Sequence, residues 1–289
     1  MNKNLYLALN KSAVVFLFLA LAFLGILKAQ KLPLPPRAND AISGSTFKNQ
    51  IETLNIDDRE KQIYQEVLNG NVPNFLRDLK PITFSKSIKD STYVVTYFVL
   101  PDYLAIGSDI DYFLVPMTPI LAQKIANTIG FSLPTKHIVD QIWSNASLKM
   151  APTPIPPSPQ MTTIPVMWEH NLLLKKQRKE ALLQAPLGDL VAGHKKDVVI
   201  SNKIYESSPK PVVIYGWHYQ NGTPIQPVYA GHSNTYADYS HGIRLVQDSV
   251  LINNKMGLIT TLLQDVDKSS LFSDEGVIEK PFYPVDQAQ

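Results

Sequence analysis

The sequence predicts an α+β fold with mixed sheets, flanking helices and a C-terminal half rich in strands. Amphipathic helical patterns alternate with short apolar runs before the middle of the chain, which is typical of mixed α and β structure. After Gly193, short strand patterns separated by turn residues dominate. The chain has 289 residues and no cysteine, so it is long enough to bury a core without disulfides.

The N-terminal segment has the layout of a secretory signal peptide. Lys3 and Lys11 precede an apolar run over residues 13–27, and a short segment ends at Ala29 and Gln30. The run is shorter than the roughly 20 residues that span a bilayer. We therefore expect residues 1–30 to be removed on export to the periplasm or the extracellular space, with membrane contact only through this signal. An uncleaved anchor is the alternative.

Charge and cysteine content exclude several classes of function. The net charge of +2 includes three lysines of residues 1–30, and without them the charge is −1. Such a chain lacks the positive surface that nucleic-acid binding requires. The absence of cysteine excludes cysteine nucleophiles, thiolate zinc sites and iron–sulfur clusters.

Helices and strands alternate over the N-terminal α/β half, residues 46–151. It follows residues 31–45, where three prolines among small polar residues predict an exposed leader. The predicted elements are an amphipathic helix over Ile56–Leu68, strands over residues 93–100 and 112–115, a helix from Thr118-Pro119 to Gly130, and a helix after Pro134-Thr135.

Six prolines between Pro152 and Pro165 predict a connector. It either joins two domains or crosses the surface of one. The C-terminal α+β half, residues 166–289, opens with a helix over residues 166–184. Its later turns carry four cations, which form either a solvated face or a surface for polyanions or lipid headgroups: Lys175, Lys176, Arg178 and Lys179.

The remaining elements of this half are short. We predict strands over residues 198–201, 212–215, 243–246 and 250–252, a hairpin arm after Asn221-Gly222, and a helix near residues 258–263.

Histidines indicate where chemistry is concentrated. Four of the six lie between His194 and His241. The strand over residues 212–215 runs into Gly216, so His218 is predicted at the carboxyl end of a buried strand, where α/β folds commonly bind ligands. The candidate catalytic residues are His218, Asp238, His241 and Arg244.

Two mechanisms and one structural interpretation remain open for these residues. His218, His232, Asp238 and His241 are candidate ligands of a zinc ion that activates water. Without a metal, Asp238 orients a histidine as general base, and Arg244 or His218 faces the developing negative charge. In the structural interpretation His241 is a core residue with one ring nitrogen hydrogen-bonded, and Asp238 and Arg244 form a partly exposed ion pair.

A Ser-His-Asp triad is disfavoured, because Ser240 and His241 are neighbours on an extended chain and point to opposite faces. Aromatic residues around the histidines suit stacking on sugar rings, or else pack across a tyrosine-rich hairpin. The candidate substrate-binding residues are His194, Lys195, Trp217, Tyr219, Tyr236 and Ser240.

Two resemblances follow from short strings. YADYSHGIRLV, IYGWH and GHKKDVVI resemble an uncharacterised group of secreted bacterial proteins, which implies no activity. SHGIRL is similar to the SHGC signature of L,D-transpeptidases, which act on peptidoglycan, but Ile243 stands where the nucleophilic cysteine belongs. That departure excludes their mechanism and leaves only a groove lined by Ser240, His241 and Arg244.

From these observations we expect an exported hydrolase of a cell-envelope or extracellular polymer, peptidoglycan or another glycan. Metal-bound or histidine-activated water is the expected nucleophile. The alternatives are a non-catalytic glycan- or peptidoglycan-binding protein and a structural envelope protein. The classes differ in geometry, because an enzyme needs converging histidines and a binding protein needs exposed rings.

Overall fold

The computed structural model describes residues 30–285, and the predicted signal peptide lies outside them except for Gln30. It confirms the α+β class. The helices are α1 (Gly44–Ile51), α2 (Ile56–Leu68), α3 (Pro119–Ile129), α4 (Lys136–Asn145), α5 (Ile164–Glu180) and α6 (Ile259–Leu263). Within residues 30–285 no helix combines the length and apolar character needed to cross a bilayer.

The strands are short except for two hairpins. They are β1 (Lys80–Ile88), β2 (Ser91–Val99), β3 (Ile106–Gly107), β4 (Tyr112–Phe113), β5 (Phe131–Ser132), β6 (Leu148–Lys149), β7 (Val191–Ala192), β8 (Lys196–Val198), β9 (Pro211–His218), β10 (Pro224–Ser233), β11 (His241–Gly242), β12 (Val246–Gln247), β13 (Ser249–Ile252) and β14 (Lys255–Leu258).

The larger sheet has six strands with β2 at its centre. β1 pairs with β2 along its whole length on one side, and β12 and β13 pair with β2 on the other. The order on that side is β14-β13-β2-β12-β5. Strands from before and after the proline-rich connector therefore share one sheet.

The second sheet has the order β10-β9-β8-β11 and carries the predicted histidines. β8 is antiparallel to β9 and parallel to β11. Lys196 of β8 lies between Gly216 of β9 and His241 of β11. This sheet brings the two ends of the histidine-rich stretch close together.

A single chain segment, residues 241–247, passes from the second sheet into the larger one. We call it the seam. Ile243 O accepts from Leu104 N at 2.8 Å, and Leu245 O accepts from Leu100 N at 3.0 Å. Residues 100–104 thus run alongside the seam, and the chain of the seam itself connects the two sheets.

Local sequence signals place several elements correctly. α2 spans the predicted residues, with the Asn55 side chain accepting from Asp58 N. α3 begins after Thr118, whose side chain accepts from Leu121 N, and ends at Gly130 in the left-handed conformation with φ of 72°. These signals are read correctly because caps act within one helical turn.

Two predictions need correction, and one long strand was not predicted. Residues 31–45 are not a wholly exposed leader, because Leu32 is buried in the core and Arg37 hydrogen-bonds Asn71. The strand predicted over residues 243–246 is interrupted, since the seam leaves one sheet before it joins the other. β1 was missed, because burial along it is only intermittent and its pairing with β2 carries the strand.

Candidate functional site

His218 lies at the end of β9, as predicted, and turns toward α4. All eight residues of β9 are buried. Gly216 and Trp217 have φ angles of 108° and 57°, so the strand bends at its last residues. The bend places His218 Nε2 3.5 Å from Asp140 Oδ1, beneath the Trp143 ring.

Asp140 was not among the candidate residues of the sequence analysis. It accepts a hydrogen bond from Tyr215 OH at 2.6 Å and from Lys136 Nζ at 2.8 Å. Burial alone would raise the pKa of Asp140, but hydrogen bonds from His218, Lys136 and Tyr215 lower it to about 2. The carboxylate stays charged, and about two-fifths of it is exposed. The position of Asp140 in a predicted helix does not indicate that its side chain faces β9.

Behind this pair lies a buried layer of ionisable side chains. His194 Nε2 is 3.0 Å from Asp102 Oδ1, and Tyr103 OH donates to Asp197 Oδ2 at 2.8 Å. Burial raises the pKa of Asp197 to about 6. These contacts pair some of the buried polar groups where the layer meets the seam, while His194 Nδ1 and Arg244 Nε have no partner within residues 30–285.

His194 and Lys195 were predicted to bind substrate, and the structure places both in the interior. Lys195 Nζ donates to Tyr239 O at 2.7 Å, and burial lowers the pKa of Lys195 to about 7. Because both side chains are buried, neither presents a group to a ligand at the surface. Their local structure explains the error: the loop before β8 folds inward against Asp102 rather than outward.

Arg244 is also an interior residue. Its Nη1 and Nη2 donate to the carbonyls of Leu100 and Val191, and its guanidinium lies 4.3 Å from the centre of the Tyr103 ring. The predicted ion pair with Asp238 does not form, because the guanidinium instead donates hydrogen bonds to these two backbone carbonyls. Arg244 holds backbone segments together and has no exposed face for a substrate.

Asp238 and Ser240 form a closed hydrogen-bond unit. Asp238 Oδ1 accepts from Ser240 N at 2.7 Å and from Ser240 Oγ at 2.6 Å, while Oδ2 accepts from Tyr236 OH at 3.0 Å. The Ser240 hydroxyl therefore donates to a carboxylate and is not activated by a histidine. The unit ties down the turn that precedes β11.

His241 is buried beside this unit without a partner. Within residues 30–285 neither of its ring nitrogens has a hydrogen-bond partner, and its Nε2 lies 4.0 Å from Asp238 Oδ1. Burial lowers the pKa of His241 to about 4, so the ring is neutral near pH 7. His241 is therefore a core residue, as in the structural interpretation, but the expected hydrogen bond to one ring nitrogen is not formed.

The predicted zinc ligands are not brought together. His218 contacts Asp140, Asp238 contacts Ser240 and Tyr236, and His232 lies on β10. In the part of the chain that the structure describes, no group of three or more histidine and carboxylate side chains is arranged to hold a metal ion. The four-residue zinc site therefore lacks the convergence that tetrahedral coordination requires.

An aromatic strip runs along β10, the edge strand of the second sheet. Gln226, Tyr229 and His232 oppose Gly216, Ile214 and Val212 of β9, so three residues of β10 match two of β9 at each step. Each irregularity adds one residue, which brings side chains three positions apart onto one face. The rings of Tyr229 and His232 lie 5.6 Å apart, and that of Tyr236 stacks on His232 at 4.1 Å. We define these three residues as the aromatic strip.

A pocket of about 290 Å³ lies at the end of the aromatic strip. It is lined by Ile56, Arg59, Thr162, Thr235, Tyr236 and Ala237. Arg59 is largely buried, and within the described chain its side chain makes a single hydrogen bond, a long one of 3.4 Å from Nη1 to Thr162 O. Its Nε has no partner among these residues. The pocket thus combines an aromatic wall with an incompletely bonded cation.

The other predicted stacking residues differ in exposure. Trp217 is buried, with Lys196 Nζ 5.1 Å from its ring centre. It is therefore part of the core and offers no face to a sugar. Tyr219 is exposed at the turn between β9 and β10, and about half of its surface is accessible. Tyr236 is the one predicted stacking residue that joins both the strip and the pocket.

Comparison with protein-family models, with curated proteins and with solved structures finds no match to this chain.

Proposed function

We propose that the protein is a glycan-binding protein whose binding surface is the aromatic strip with its adjoining pocket. The strip is the observation that carries this proposal. Tyr and His rings with accessible faces stack on the apolar faces of sugar rings, and their polar atoms bond to sugar hydroxyls. Three rings that follow one another from the strand edge match a linear polymer better than a small metabolite, and Tyr229 is the most exposed of them.

The pocket supports an acidic glycan in particular. Arg59 forms no ion pair within 4 Å among residues 30–285, and the Glu60 carboxylate acts on it only at longer range. A carboxylate or phosphate on the ligand would supply a direct acceptor. Thr162 and Thr235 add hydroxyls that can bond to sugar oxygens. Peptidoglycan and other acidic polymers of the periplasm or cell exterior carry such groups, in line with the expected export.

Hydrolysis is the second candidate, and the His218–Asp140 contact is the observation that favours it. His218 is held against a partly exposed carboxylate that also accepts from Tyr215. A histidine oriented in this way can act as a general base toward water. In that case His218 and Asp140 carry the chemistry and the aromatic strip holds the polymer.

Retention on insoluble peptidoglycan sacculi tests the proposal. We expect the wild-type chain to sediment with sacculi, and Tyr229→Ala and His232→Ala each to weaken retention by up to about tenfold, because each removes one stacked ring. Tyr219→Ala is the matched control, since it removes a ring of similar exposure from the turn. Equal retention of all four proteins would contradict the proposal.

The same incubations separate the two candidates. Soluble sugar fragments released by wild type, and not by Asp140→Asn, would assign the protein to the hydrolases. Retention without release is the result expected of a binding protein.

A further inference from the structure

A cleft remote from the aromatic strip has a different chemical character. Its volume is about 450 Å³, and it lies between the last turns of α5, the segment that follows them and the turn before β4. Four side chains give it apolar walls: Ile110, Tyr112, Leu182 and Leu187. Five charged side chains line it as well: Asp109, Lys175, Lys176, Arg178 and Lys179.

Cations outnumber the acids available to neutralise them. Arg178 is buried and donates to the carbonyls of Ala185 and Pro186, which fixes the segment after α5. Lys175 Nζ lies 3.7 Å from Asp111, the nearest carboxylate. Within residues 30–285 Lys176 and Lys179 form no ion pair, and both are exposed. The rim of the cleft is therefore positive.

Exposed apolar side chains lie on the segments that line the cleft. Leu183 is fully exposed and Ile110 is 90% exposed. Leu172 of α5 is about half exposed, and its spacing from Lys176 and Lys179 places all three on one helical face. A single exposed leucine is ordinary, but leucines beside unpaired lysines form a surface that is both apolar and cationic.

We infer that this surface binds the anionic phospholipid headgroups of a bilayer, with the cleft holding part of one lipid. The phosphate meets Lys176 and Lys179, while the glycerol and upper acyl groups contact the apolar walls. Leu183 and Ile110 enter the interface beside them. A soluble polyanion offers the same charge but nothing for these apolar groups. The inference is independent of the proposed glycan binding, because no residue is shared.

Lipid binding is tested with the full chain and vesicles of phosphatidylcholine, with and without phosphatidylglycerol. The paired change Lys176→Gln with Lys179→Gln should weaken binding to the anionic vesicles by about thirtyfold, since each lysine near an anionic surface contributes about 1 kcal/mol. The matched control is Lys61→Gln with Lys255→Gln, which removes the same charge from elsewhere on the surface. The apolar run of residues 13–27 is common to all these proteins, so differences among them report the cleft.

Monomeric dihexanoyl-phosphatidylglycerol, which needs no bilayer, provides the second measurement. We expect it to bind more tightly than dihexanoyl-phosphatidylcholine and more tightly than inorganic phosphate, and Leu183→Ser to weaken it several-fold. Val266→Ser, at another exposed apolar residue, should leave it unchanged. Equal binding of the two lipids would overturn the inference. Binding of phosphate as tight as that of the lipid would do so too, because it would reduce the cleft to a simple anion site.

Discussion

At the scale of single residues, Asp197 and His241 are buried groups whose pKa shifts act on stability in opposite directions. Burial raises the pKa of Asp197 from 3.8 to about 6 and lowers that of His241 from 6.5 to about 4. The Asp197 contribution is full below pH 4 and is lost as the pH rises through 6. The His241 contribution is full above pH 6.5 and is lost as the pH falls through 4.

Removing the Asp197 contribution should make the His241 contribution visible in the pH dependence of stability. In Asp197→Asn, stability should fall more steeply from pH 6 to pH 4 than in wild type, by about 2 to 3 kcal/mol over that interval, because the opposing contribution is gone. Urea unfolding at a series of pH values measures the difference. Asp78→Asn, at an exposed carboxylate, is the control and should run parallel to wild type. A parallel curve for Asp197→Asn as well would show that its pKa is not raised.

Sequence patterns predict the position of a single residue better than its surroundings. His218 was placed at a strand end because the apolar run before it and Gly216 are local signals. Asp140 and Asp102 were not found, since each meets its histidine across 78 or more residues of chain. Contacts between residues this far apart leave no local pattern in the sequence. The inward fold of His194 and Lys195 escaped notice for the same reason, because solvated loops and buried ones share their composition.

At the scale of elements, α5 has one buried face and one solvent-exposed face, and two neighbouring leucines differ in burial accordingly. Leu174 is almost completely buried, whereas its neighbour Leu173 is about two-fifths exposed. His170 and Arg178 lie on the buried side with Leu174. The helix therefore packs through a mixed apolar and polar stripe, and its outer face is free to contact other molecules.

Alanine substitutions at these two leucines should differ widely. Leu174→Ala should lower the free energy of unfolding by about 2 to 4 kcal/mol, because it leaves a cavity in the core. Leu173→Ala should change it by less than about 0.5 kcal/mol. Urea denaturation of both variants measures the contrast. Comparable losses would mean that both faces of α5 are packed.

The β9–β10 hairpin shows which features of an element can be predicted from the sequence. Its turn was predicted from Asn221-Gly222, because that pair suits a tight turn. The two irregularities in β10 were not predicted, since they arise from register against β9 and have no residue signature here. The alignment of Tyr229 with His232 depends on them. The aromatic strip could therefore not be predicted from the sequence, although His232 and Tyr236 were among the candidate residues.

At the scale of the whole molecule, the seam joins the two sheets at a point of close approach. A Cβ atom at Gly242 would lie 2.6 Å from the Tyr103 ring and 2.9 Å from Lys195 Cβ. Both neighbours are buried in the ionisable layer. Only glycine fits where β11 passes this layer on its way to β12.

Gly242→Ala should therefore destabilise the whole chain by about 2 kcal/mol or more, because the ring of Tyr103 has no space to move. Gly257→Ala is the matched control: its nearest neighbour would be 3.7 Å away, so its effect should be small. Thermal unfolding followed by both tryptophan fluorescence and far-UV circular dichroism measures the outcome. A Gly242→Ala chain as stable as wild type would contradict the close packing of the seam.

The fold class could be predicted from the sequence, but the order of the strands in the sheets could not. Alternating local patterns identify helices and strands, and their mixture defines the class. Pairings such as β2 with β12 and β13 join residues far apart in sequence. Many arrangements satisfy the same local patterns, so the order β14-β13-β2-β12-β5 required the structure.

The burial of Lys195 gives the folded chain an internal reporter. Amine-reactive reagents modify accessible lysines, and the ammonium group of Lys195 is enclosed with its bond to Tyr239 O. Acylation at this one position requires the second sheet to open, whereas surface lysines react in the closed state. Peptide mapping after brief labelling would therefore measure how often the second sheet opens and exposes Lys195 to solvent.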